Sequence, residues 1–244
     1  MRDRFRGRTV GAMDRLLQVV LAVHLAAGAV SLLVFSVPLV TKKGGRTHRR
    51  VGRVYVAAAA TVALTGFLLC IPLLSSGGPF RWRAGMFLAY VSLLAGASAQ
   101  FGVRALRTKA RTGASRAAID LVPPLLLVAG GLTLATFGIH RSIILYVLFA
   151  ALAVVLGLAQ LRYWLTPPAH ERAWFLAHMT GMGTSCITTV TAFIVVNARR
   201  FGMRTFDLPL WAGPIAVLAI GLTLWRRYYV RRLTGNDAPA PKVQ

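Results

Sequence analysis

Residues 16–40 read LLQVVLAVHLAAGAVSLLVFSVPLV, and only Gln18, His24, Ser31, Ser36 and Pro38 interrupt the apolar character. An α-helix rises about 1.5 Å per residue, so roughly 20 apolar residues cross a hydrocarbon core about 30 Å thick. Six further runs of this kind follow, at 54–74, 84–103, 117–139, 142–161, 174–196 and 208–225. The pattern predicts an all-α fold, a polytopic transmembrane helical bundle of about seven spans. Lipid demands such regularity, because every backbone N–H and C=O must find its partner inside the protein.

Composition agrees. The 244-residue chain is 56% hydrophobic and 14% charged, with a mean hydropathy of +0.62. A soluble domain carries about 25% charged residues. The formal net charge of +23 would suggest a nucleic-acid partner in a soluble protein. Here the cations sit in short loops between apolar runs, with no basic domain to lay on a phosphate backbone, so nucleic acid is disfavoured. Loop cations instead hold segments on the cytoplasmic side and touch anionic lipid headgroups. The excess of Arg over Lys fits a GC-rich bacterial genome and carries no mechanism. Cys70 and Cys186 lie inside separate spans and outside any C-x-x-C pair, so they read as packing residues and not as zinc, iron–sulfur or disulfide partners.

Punctuation between the runs is that of a membrane protein. Ser75-Ser76-Gly77-Gly78-Pro79 follows the second run, Pro167-Pro168 precedes the sixth, and Trp211 and Trp225 bracket the seventh. Only His140 and Arg141 separate the fourth and fifth runs. One helix of about 45 residues would be about 67 Å long, too long for a bilayer, so a tight hairpin is expected.

Orientation follows from the cations. Loops one, three and five and the C-terminal tail hold six, five, two and five of them, against two, one and three in loops two, four and six. Eighteen against six places the former set, with the C-terminus, in the cytoplasm of a multi-pass plasma-membrane protein. An exterior N-terminus then conflicts with Arg2, Arg4, Arg6, Arg8 and Arg15. Translation from Met13 resolves the conflict, and a misassigned span is the alternative. The expected organisation is a basic segment at 1–15, one membrane domain at 16–225 and a basic, disordered cytoplasmic tail at 226–244. The first apolar core exceeds a signal-peptide h-region and no cleavage site follows, so it is read as a retained helix.

Polar residues inside or beside spans are the candidates for function. His24 lies about 12 Å below the outer edge of the first span, where ionisable groups face a bundle interior or a cavity. It shares a face with Gly28, Ser31 and Phe35. One reading is a neutral imidazole bonded to a neighbouring helix, with Gly28 permitting close approach. The other is a haem ligand or a proton relay. The sixth span carries His178, Gly181, Ser185, Thr188 and Ala192 on one stripe, and the third carries Ser92, Gly96 and Gln100. Such stripes pack tightly or line a polar crevice.

Loop one, from Lys42 to Tyr55, is the most patterned polar stretch, with Gly44 and Gly45 allowing a turn and His48 to Arg53 opening the second helix. It anchors the chain by its charge, or docks an anionic group on His48, Arg49 and Arg53. Asp120, at the start of the fourth span, either caps its helix and neutralises a loop Arg, or joins His48 and His178 in one cytoplasmic-side cluster.

The H-R-x-x-G-R-x-Y stretch from His48 to Tyr55, its preceding Lys-Gly-Gly turn, His24, and Trp174-x-x-x-His178 together resemble a bacterial family of predicted membrane proteins. It is known as a domain of unknown function, number twenty-three-oh-six. The likeness runs from the first span to the sixth. It implies fold and location and carries no activity.

Three functional expectations remain. The first is binding or passage of a small solute or lipid through the bundle. The second is a b-type haem redox protein, for which His24 and His178 make a poor pair because their depths differ by roughly 12 Å. The third is a structural or assembly subunit without chemistry of its own. No catalytic signature and neither G-x-x-x-x-G-K-[ST] nor G-x-G-x-x-G is present. No metal or cofactor is expected outside the haem alternative.

Overall fold

The computed structural model describes residues 2–75, 78–204 and 206–233. Among the described residues eight α-helices run α1 (Arg2–Val34), α2 (Ser36–Val40), α3 (Arg46–Ser75), α4 (Pro79–Arg107), α5 (Ala118–His140), α6 (Ile144–Leu165), α7 (Ala173–Asn197) and α8 (Leu208–Leu233), with a 3-10 turn at Ala198–Phe201. No strand occurs among the described residues. Among the described residues seven segments are long and apolar enough to span a membrane: Met13–Val40, Arg46–Ser75, Pro79–Arg107, Ala118–His140, Ile144–Leu165, Ala173–Asn197 and Leu208–Arg232. Each contains one of the seven apolar runs to within a few residues.

Local chemistry explains the breaks. α1 gives way to α2 at Phe35, where Pro38 has no N–H to offer Val34 and its ring crowds that carbonyl. Between α5 and α6 the expected tight hairpin is present. The Ile143 N–H reaches the Gly138 carbonyl at 2.8 Å and Ser142 takes the turn at φ 53°. A Cβ on Gly138 would lie 2.9 Å from the Tyr146 Cβ, so glycine lets the two helices meet there. α8 runs on to Leu233, past the expected boundary at residue 225. The first part of the expected disordered tail, 226–233, is therefore helical, while 234–244 lie outside the described residues.

The folded chain divides into two compact units, Met1–Gly96 and Ala97–Gln244, and α4 contributes to both. In unit one, α3 packs on α1 and α2, burying Tyr55, Ala59, Ala63 and Cys70. In unit two, the largest contacts are α5 with α6 and α7 with α8. An apolar cluster of Phe101, Ala105, Trp164 and Ala177 joins α4, α6 and α7. Large apolar side chains such as Leu33, Leu132, Val155 and Val217 are more than half exposed. Water would not tolerate so much apolar surface, and hydrocarbon does.

Candidate functional site

In unit one, His24 meets Thr65 on α3, Nδ1 to Oγ1 at 2.9 Å. The Thr65 hydroxyl gives its one hydrogen to the Thr61 carbonyl at 2.6 Å, so its oxygen accepts and His24 Nδ1–H donates. Ala27 and Ser31, on the same side of α1, are buried. The expectation that this stripe faces a neighbouring helix holds. Gly28, however, is not the point of close approach. A Cβ there would meet nothing within 4 Å. The contact is made by Gly66, where a Cβ would lie 2.5 Å from Ser92 Oγ and 3.6 Å from His24 Cε1. A small-residue row on α3 (Ala59, Ala63, Gly66, Cys70) was the available signal.

The patterned loop closes the end of α2. Gly44 takes φ +74°, and the Gly45 N–H reaches the Lys42 carbonyl at 2.9 Å. Lys43 Nζ donates to the Pro38 carbonyl at 2.8 Å and also to that of Leu39. His48 Nδ1–H donates to Pro38 at 3.1 Å, and Thr41 bonds Val37. Helix C-termini leave carbonyls orphaned, and cations suit that end of the dipole. Burial nonetheless pulls the Lys43 pKa below the ordinary lysine range. Arg49 and Arg53 are exposed on α3, and Tyr55 beside them is 3% exposed. The H-R-x-x-G-R-x-Y stretch is thus a helix start whose histidine caps the helix before it.

In unit two, Asp120 stands in the first turn of α5 and is fully buried. Arg104 on α4 grips it with two bonds, Nε to Oδ1 at 2.7 Å and Nη2 to Oδ2 at 3.0 Å. Ser115 Oγ adds a third bond, to Oδ2, at 2.7 Å. Paired and saturated, Asp120 serves as a lock between α4 and α5, as the neutralised-Arg reading foresaw. Gln100 supports the same joint. Pro123 lacks the N–H that would serve the Ile119 carbonyl, and Gln100 Nε2 donates to that carbonyl at 2.8 Å. His178 Nδ1–H donates to the Gly102 carbonyl at 2.9 Å. Around it α4 and α7 touch backbone to backbone: a Cβ on Gly181 would lie 2.6 Å from the Gly102 nitrogen. Asp120 and His178 thus both bond to the last turns of α4, through different residues, while His48 belongs to unit one.

The loop after α4 lines a pocket in unit two. Arg111 lays its guanidinium on Tyr163 and Trp164, 4.7 and 5.6 Å from the ring centres. Its Nη1 donates to the carbonyls of Gly113 at 2.8 Å and Thr166 at 2.7 Å, and its Nη2 to Tyr163 at 2.7 Å. The Ser115 N–H reaches Trp164 O at 2.7 Å. The last carbonyls of α6 are thereby capped by a distant loop. A pocket of about 350 Å³ opens beside this clamp, lined by Lys109, Arg111, Tyr163, His170, Glu171 and Trp174 among others. Lys109 Nζ stands 4.4 Å from the centre of the Trp174 ring. Sequence reading missed this pocket. Only the pairing of Lys109, in the loop after α4, with Trp174, in the first turn of α7, reveals it, and no spacing encodes that. Among the described residues no group of three or more His, Cys, Asp or Glu side chains is placed to hold a metal ion.

These features define the class, an all-α multi-pass integral membrane protein. Comparison with protein-family models, with curated proteins and with solved structures finds no match to this chain.

Proposed function

We propose that the protein binds a small phosphate-bearing ligand, solute or lipid, in the Lys109–Trp174 pocket of unit two, on the cytoplasmic side of the cell membrane. The pocket carries the reading. At about 350 Å³ it lies in the range of small-ligand clefts, and it presents a cation that makes no hydrogen bond or ion pair among the described residues. Arg111 adds positive potential while its Nη1 and Nη2 are held by carbonyls and its Nε is buried, so Lys109 is the group free to bond an anion. The cytoplasmic placement is supported by the loop-cation bias, since Lys109 and Arg111 belong to loop three. The test is equilibrium dialysis of the detergent-purified protein with radiolabelled glycerol phosphate, the group common to soluble phosphate esters and phospholipids. Lys109→Ala is expected to weaken binding about tenfold, the loss of one charge-assisted bond. Equal binding by both proteins, or none by either, overturns the reading.

A further inference from the structure

We propose, building on that reading, that the occupant is the headgroup of a phospholipid bearing a primary ammonium, of the ethanolamine class. Depth comes first. The pocket walls come from the end of α6 at Leu165, the start of α7 at Ala173, and Lys109, two residues past the end of α4. Three spans therefore reach water here, the level at which phosphates of a bilayer lie. The surrounding side chains mark the same level. Trp174 and Phe175 have ring centres 6.0 Å apart, Phe175 and Tyr229 5.0 Å, and Tyr229 and Trp225 6.0 Å. Arg226, Arg227, Arg231 and Arg232 are interleaved with this aromatic band on α8. Aromatic rings with adjacent cations are the signature of the membrane interface.

Charge then selects the headgroup. The pocket holds the ammonium of Lys109 and the carboxylate of Glu171, and neither forms an ion pair among the described residues. A ligand with both charges satisfies both groups: phosphate oxygens accept from Lys109, and a primary ammonium donates to Glu171. A glycerol headgroup offers Glu171 no cation and leaves the carboxylate facing the phosphate. A choline headgroup has no N–H to donate and seeks an aromatic face, and Lys109 already covers that of Trp174. The carboxylate is thus the specificity-determining group and the lysine the affinity-determining one.

The test uses delipidated, detergent-purified full-length protein and native mass spectrometry with phosphatidylethanolamine, phosphatidylglycerol and phosphatidylcholine of matched acyl chains. Wild type should retain the ethanolamine lipid at least about fivefold more than the others. Glu171→Gln should abolish that preference and leave phosphatidylglycerol retention unchanged or raised. Lys109→Ala should weaken retention of all three. Both residues are exposed at the pocket mouth, so neither variant endangers folding. If wild type shows no ethanolamine preference, or Glu171→Gln leaves it intact, the headgroup inference falls while a Lys109 effect still upholds a phosphate site. If Lys109→Ala changes nothing in either assay, both readings fall together.

Discussion

Asp120 shows what a single ionisable side chain does when a span carries it out of water. An unpaired carboxylate would be intolerable there, and the chain supplies two bonds from Arg104 and one from Ser115. Asp120→Asn keeps the shape and removes the charge, leaving Arg104 without its counter-ion. The expected loss is about 3 kcal/mol, because Arg104 retains some access to solvent. Thermal unfolding in detergent measures it, and the double variant Arg104→Leu with Asp120→Leu should recover most of the stability. An Asp120→Asn protein as stable as wild type would show that the pair holds nothing. At this scale the sequence offered a neighbouring cation as one of several partners for Asp120. It could not say which one, since Arg107, Arg111 and Arg116 lie in the same loop.

Between elements, close approach decides which glycines matter. A Cβ on Gly181 would meet the backbone of α4, and one on Gly66 would meet Ser92, whereas one on Gly28 would meet open space. Gly181→Leu and Gly66→Leu should each cost about 1–3 kcal/mol or more, as overpacked sites do, with Gly181 the worse because backbone cannot swing aside. Gly28→Leu should lie within about 0.5 kcal/mol of wild type. Melting temperatures of the three purified variants check the order, and a Gly28→Leu protein as unstable as Gly181→Leu would refute it. The stripe His178, Gly181, Ser185 was readable as small and polar. Along the stripe through His24 the face was right but Gly28 was the wrong contact, because a shared helical face says which residues point together and not what stands opposite.

For the whole molecule, hydrophobic thickness and cation placement govern how the chain is threaded. The orientation we propose puts the C-terminus in the cytoplasm, on the bias of eighteen loop and tail cations against six. A C-terminal green fluorescent protein fusion should therefore fluoresce, and an alkaline phosphatase fusion at the same point should be inactive. Strong phosphatase activity would reverse the topology and move the Lys109 pocket to the outer face. Fluorescence from the first fusion would leave the pocket where cytoplasmic-leaflet headgroups can reach it.

The sequence by itself determined the helical class, the number of spans and their limits to within a few residues. Bilayer thickness and the ban on unbonded backbone in lipid leave one solution for runs of that length. It also required that His24 face protein, since desolvation penalises a lipid-facing imidazole whatever the partner, and it left Asp120 open between a cap, a neutralised Arg and a histidine cluster. Only the tertiary structure decided who the partners are. His24 finds Thr65 from 41 residues away, Arg111 caps carbonyls 52 and 55 residues on, and His178 reaches back 76 to Gly102. Helix periodicity assigns a face but not the facing helix. The Lys109–Glu171–Trp174 pocket therefore exists only once α4, α6 and α7 bring their ends together.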